Sequence, residues 1–227
     1  MNRNIFGIDG KKALEKLMKE PENQEKPAAK EPVKAAIKDD YIYLPDVKLY
    51  VAKQRSLLGY NWQQAREELA KNNEKMLSPL EFATFLQALS SGNREMQSLY
   101  EDITAVRNSW RTEWLDAKFS KSGILNKHSI TYHKFSQAGS IEEVTEQLDS
   151  NTLMKDKQIS LDDWLANPTK QGLPRKDVKK GSLYYWFPRN NYVARFGADA
   201  GRADLYCIRD PWDSYSALGV RRAKFKA

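Results

Sequence analysis

The apolar positions divide the chain into a polar beginning, a middle of alternating helical and extended patterns, and a C-terminal stretch with two distinct faces. Residues 41–49 (YIYLPDVKL) alternate apolar and polar around a Pro-Asp pair and predict a hairpin or two edge strands. Trp62, Ala65 and Leu69 then recur at helical spacing behind Asn61, a side chain suited to an N-cap, so a helix is expected over residues 61–72. Ser78-Pro79-Leu80-Glu81 is a capping box with proline at the first helical position. The helix it launches carries Phe82, Phe85, Leu86 and Leu89 on one face, and Gly92 stops it. A third helix is expected over residues 94–106. Trp110 and Trp114, four apart, are expected in the core. Residues 125–135 read as extended through ITYHKF, and residues 141–148 as a short helix. Residues 149–180 read as irregular structure packed by Trp164, Leu165 and Leu173, and the sheet resumes at Ser182 with LYYWFP.

Near the C-terminus the alternation becomes strict. Ala203, Leu205, Cys207, Arg209 and Pro211 interleave with Arg202, Asp204, Tyr206, Ile208 and Asp210. Two faces are implied, as on a half-buried strand. The first set is mostly small or apolar and suits a core. The second mixes a cation, anions, an aromatic and Ile, which neither solubility nor burial selects together.

Composition sharpens that reading. Lys, Glu, Gln and Met make up 54 of the 227 residues, yet none lies between Gly181 and Ala223, where about ten would be expected. Strands disfavour Lys and Glu, which accounts for part of the gap. The window is not apolar, however, since it holds four Asp and six Arg.

The run VARFGADAGRADLYCIRDP followed by SYSALGVRRA resembles the variable region of proteins diversified by archaeal-type diversity-generating retroelements. Residues 193–196 and 217–223 carry most of the framework likeness, and upstream IYLPDVKLYVAKQ, SPLEFATFL, WRTEWLDA and ISLDDWLANPTKQGLP resemble the scaffold of the same proteins. The likeness covers roughly residues 41–223. It implies an α+β, C-type lectin-like fold of the branch related to formylglycine-generating enzymes. In that fold short helices flank small antiparallel sheets, and a variable region, here about residues 189–223, is displayed on the surface. Such retroelements mutate template adenines. Varied Asn codons then reach many residues but never Lys, Glu, Gln, Met or Trp, and the hole in Lys, Glu, Gln and Met is what that chemistry would leave. The resemblance implies a variable, ligand-binding set of Asn191, Tyr192, Gly197, Asp199, Arg202, Asp204, Tyr206, Ile208, Asp210, Trp212, Asp213 and Tyr215. Trp212 departs from the codon rule, and is either framework or derived from another adenine-bearing codon.

The remaining features narrow the function classes. Residues 1–40 are rich in Lys, Glu and Pro and read as a flexible segment preceding a domain over 41–227, with Leu14, Leu17 and Met18 allowing a short amphipathic helix. A mean hydropathy of −0.73 and the lack of a long apolar run argue against a membrane span. No signal-peptide pattern opens the chain, so the expected location is the cytoplasm, or outside the cell by a route needing no such signal. The net charge of +7 is spread over scattered lysines without a nucleic-acid motif, and no nucleic-acid partner is expected.

Two histidines, His128 and His133, and one cysteine, Cys207, form no metal-ligand spacing, and no metal or cofactor is expected. The calcium motifs of sugar-binding C-type lectins do not occur in the domain. Formylglycine-generating enzymes depend on reactive cysteines, whereas Cys207 reads as a small buried hydrophobe. No acid, base or nucleophile constellation emerges, so the expectation is a binding protein rather than an enzyme. Its partner would be a protein or cell-surface ligand met by a rigid scaffold bearing adaptable positions, as in an antibody paratope. The alternative is an invariant lectin-like interaction module without diversification.

Overall fold

Period-two patterning brings strands from both ends of the chain into one sheet, and helix caps set where the chain leaves it. The computed structural model describes residues 40–121 and 127–226. The expected N-terminal segment, its short helix and the start of the 125–135 segment lie outside the described residues.

The strands are β1 (Tyr41–Leu44), β2 (Leu49–Ser56), β3 (Lys75–Met76), β4 (Arg111–Lys121), β5 (His128–Phe135), β6 (Ile141–Gln147), β7 (Lys157–Ile159), β8 (Leu183–Trp186), β9 (Val193–Ala198), β10 (Ala203–Arg209) and β11 (Leu218–Phe225). The helices are α1 (Trp62–Ala70), α2 (Pro79–Ser90), α3 (Arg94–Thr104) and α4 (Leu161–Ala166). The class is α+β with a large mixed sheet. Small antiparallel sheets were expected. Instead, among the described residues, eleven strands connect in the order β1-β2-β11-β4-β9-β10-β8-β7, with β3 on β11 and the β5–β6 hairpin on β4. Two pairings are parallel, β11 with β4 and β10 with β8, and the rest are antiparallel.

Local chemistry accounts for most element boundaries. Asn61 and Ser78 both close reciprocal capping boxes, with Gln64 and Glu81 as their partners. The β1–β2 hairpin turns through Pro45–Val47 as expected. Residues 141–148 depart from expectation. They form a strand paired with β5 from Phe135↔Ile141 to Ser129↔Gln147, because β-branched Ile141, Val144 and Thr145 gain cross-strand partners in the sheet. Trp164, Leu165 and Leu173 do pack the loop-rich stretch, and Ser160 caps α4 within it.

The sheet is covered on both faces. Against one lie α2, α3 and α4, with Phe82, Phe85, Leu86 and Trp164 meeting Phe196, Leu205 and Cys207. Against the other lies α1, whose Trp62, Ala65 and Leu69 meet Trp114, Val193, Leu218 and Val220. Trp62 and Trp114 donate their indole N–H groups to Leu115 O and Tyr60 O at 2.8 and 3.1 Å.

Buried charges tie β4 to β11 and to α1. Glu113 on β4 accepts from Arg221 on β11 at 2.9 and 3.2 Å, and both are almost wholly buried. Burial alone would raise the Glu113 carboxyl, but Arg221 and Arg111 override it and hold it below the usual range. A second centre joins fully buried Asp116 to Arg66 of α1 at 3.0 Å, and Asp116 also accepts the His133 backbone N–H at 2.8 Å.

Candidate ligand-binding surface

Helix α1 covers only part of its face of the sheet. Beyond it, β8, β9 and β10 carry a half-exposed layer built by their pairing. The antiparallel β9–β10 register sets Asp204 beside Gly197 and Tyr206 beside Arg195. The parallel β10–β8 register sets Tyr184 beside Asp204 and Trp186 beside Tyr206. Aromatic and cationic groups therefore alternate across three strands. Arg195 lies over the Tyr206 ring at 4.6 Å, Arg202 over Tyr184 at 5.1 Å, and Trp186 meets Tyr206 at 5.7 Å. Opposite this layer, Leu183, Tyr185, Leu205 and Cys207 are buried, so the two-faced reading of β10 holds over residues 203–207.

The reading fails at residue 209. The β9–β10 register shifts between Tyr206 and Arg209, so the alternation loses phase. Arg209, expected on the core side, instead lies over Tyr215 at 5.0 Å and pairs with Asp213 at 2.6 Å. The following loop is held from below. Pro211 O accepts the Trp62 N–H at 3.1 Å, and Asp210 Oδ1 accepts the Trp212 N–H at 2.9 Å. Arg55 Nη1 donates to Ala217 O at 2.5 Å and to Thr112 O at 2.7 Å. Trp212 stands clear at 70 % exposure, with Tyr215 and Tyr192 also exposed.

Trp110 was expected in the core beside Trp114. Only Trp114 is there. Trp110 precedes β4, remains exposed, and packs edge-on against Tyr215 with ring centroids 5.8 Å apart.

The predicted set thus divides. Asn191, Tyr192, Asp210, Trp212 and Tyr215 are exposed, and Asp199, Arg202, Tyr206, Ile208 and Asp213 are partly so. Asn191 takes φ +68°, a left-handed backbone that Asn tolerates better than most residues. Gly197 and Asp204 are buried, contrary to the expectation of outward display. A Cβ on Gly197 would stand 2.6 Å from Thr112 Oγ1 and 3.1 Å from Arg111 O, so the crowding of β4 restricts that position. Asp204, 4 % exposed, is gripped by Arg195 through two bonds of 2.8 and 3.2 Å. Burial raises its carboxyl above the usual range despite Arg195, and the same burial lowers the Arg195 guanidinium.

Five residues of this surface were missed: Trp110, Tyr184, Trp186, Arg195 and Arg209. Alternation within LYYW would have exposed Tyr184 and Trp186 as a face opposite Leu183 and Tyr185. Nothing local signals the register shift that turns Arg209 outward.

Elsewhere the chemistry is that of packing. Cys207 is unpaired and buried, and burial pushes its thiol far up, so it is protonated at neutral pH. Among the described residues, no three His, Cys, Asp or Glu side chains gather where a metal ion could be held, and no helix is long and apolar enough to cross a membrane. No protein-family model, curated protein sequence or solved structure matches the chain.

Proposed function

We propose that the protein is a non-enzymatic display protein of the diversity-generating retroelement type, on a C-type lectin-like fold, whose C-terminal tract binds a protein or cell-surface partner. One observation carries this reading. The stretch lacking Lys, Glu, Gln and Met supplies exposed Tyr192, Trp212 and Tyr215 and half-exposed Tyr206, with Arg195 over the Tyr206 ring and Arg209 over the Tyr215 ring. Stiff aromatic side chains give contact area at low entropic cost, and the interleaved charges set direction, the same division of labour as in a paratope. The buried alternate residues anchor the backbone whatever the outward ones become.

A second reading, an invariant interaction module of the same fold, draws on Gly197 and Asp204. Both lie within the tract yet are confined by packing and an ion pair, as fixed residues would be. Sequencing the 3′ end of the gene and its flanking DNA across the source population separates the two. Substitutions gathered at codons 192–215, with a near-repeat and a reverse-transcriptase gene alongside, are the outcome expected of diversification. A uniform 3′ end without a repeat would leave the invariant module.

A further inference from the structure

A pocket of about 300 Å³ is lined entirely by residues outside the C-terminal tract. Arg55, Arg107 and Arg111 line it with Asp102, Ser109 and Trp110. Its rims touch two loops of that tract. The Arg107 N–H donates to Asp199 O at 2.8 Å on one side. On the other, Arg55 holds Ala217 O and Trp110 abuts Tyr215.

The charge there is unbalanced. Asp102 accepts from Arg107 at 2.7 Å and from Arg111, while Glu113 is engaged by Arg221 and lies 3.6 Å from Arg111. Four guanidinium groups (Arg55, Arg107, Arg111, Arg221) thus share two carboxylates, Asp102 and Glu113, an excess of two positive charges. Burial, then repulsion from Arg111, brings the Arg55 pKa down to about 10, against the opposing pull of Glu113 and Asp102. The donors are also fixed in advance. Arg107 and Arg111 both donate to the Asp102 carbonyl at the end of α3, at 3.4 and 2.6 Å, and Arg55 is held by two further carbonyls. Arg107 Nε is shielded from solvent and has no acceptor.

We propose that this pocket is a fixed oxyanion subsite beside the display surface, taking a carboxylate or phosphate group presented by the partner. Planar guanidinium groups already set in place match either oxyanion through charge-assisted hydrogen bonds. Trp110 and Tyr215 form the wall where a bound group would pass from the pocket onto the variable loop. The proposal rests on the binding role assigned to that loop, but the pocket itself is framework, and small anions test it without any partner.

The test is a titration of the full chain, at constant ionic strength balanced with chloride, with sodium acetate and separately with inorganic phosphate. It is followed by two-dimensional NMR of the Trp110 indole and Arg107 Nε–H signals. Saturable shifts confined to these signals and their neighbours are expected. Arg107→Gln, at a partly exposed position, should weaken binding about tenfold or more, whereas Trp212→Ala should leave it unchanged. Saturation by acetate assigns an acidic side chain or chain terminus as the natural group, and saturation by phosphate alone assigns a phosphorylated one. Absence of saturable shifts with both anions in the wild-type chain overturns the subsite, as does binding that Arg107→Gln leaves intact. A uniform 3′ end in the population would remove diversification while leaving this result standing, so the two failures are distinguishable.

Discussion

Two buried arginine–carboxylate pairs lie a few strands apart in this sheet, and they behave in opposite ways. Glu113 on β4 is reached by Arg221 and Arg111, and its carboxyl is held below the usual range against its own burial. Asp204 on β10 is met by Arg195, with Arg202 at 4.0 Å, and burial wins, raising its carboxyl. The first carboxylate has more cationic partners than its desolvation requires, and the second has too few. Arg221 is also spent on the carbonyls of Ala52 and Lys53, which bolts β11 to β2. Arg195 stacks on the half-exposed Tyr206 ring at the surface. A buried pair adds rigidity where extra hydrogen bonds satisfy both ions, and is only marginal where they do not. One region is locked by several partners, whereas the other is a local arrangement on a half-exposed face.

The contrast makes graded predictions. Glu113→Ala should be the most damaging, lowering unfolding free energy in denaturant titrations by about 3–5 kcal/mol, because Arg221 is left buried and uncompensated. Leu205→Ala, on the core side of β10, should cost about 2–5 kcal/mol as a cavity. Asp204→Ala should cost about 1–3 kcal/mol, since Arg195 lies near enough to the surface to recover water. A loss for Asp204→Ala as large as that for Glu113→Ala would erase the distinction between the two regions.

The same pairs set opposite pH responses. Glu113 has a folded-state pKa below its unfolded value of about 4.3, so its contribution is present above that pH and is lost as pH falls through the folded value. Asp204 has a folded-state pKa above its unfolded value of about 3.9, so its contribution is present below that pH and is lost as pH rises through the folded value. Denaturation series between about pH 3 and pH 6 should therefore show Glu113→Gln flattening the acid loss of stability and Asp204→Asn steepening it. The smallest effect is expected at Trp212→Ala, which should change stability by no more than about 0.5 kcal/mol while removing a principal contact with a partner. Unfolding by that change would place Trp212 in the framework.

Much of this was legible along the chain. Both capping boxes, the β1–β2 hairpin, the apolar face of α2 and the inward set Ala203, Leu205 and Cys207 rest on short-range patterns of caps and periods. Those patterns act over only a few residues each. The compositional hole after Gly181 also set the C-terminal tract apart without any coordinates.

Other features depended on partners far away in sequence. Ile141–Gln147 carries a spacing that suits a helix, and only β5 made it a strand. Trp110 and Trp114 look equivalent in a string of residues, yet α1 covers one and Tyr215 meets the other. Asp204 lies in the outward alternation, but Arg195 and its neighbours bury it. Arg209 changes face through a register shift that no local residue choice announces.

The sequence by itself determined where helices begin, which residues of each strand are apolar, and that one C-terminal tract obeys different rules of residue choice. These follow from bonding within a few residues and from composition. The tertiary structure alone decided that two Trp residues would part company, that Arg209 and Trp186 would share a face, and that four arginines would surround two carboxylates. Such outcomes depend on which strands become neighbours, and that is chosen by the joint burial of surfaces far apart in sequence, 169 residues in the bond from Arg221 to Ala52.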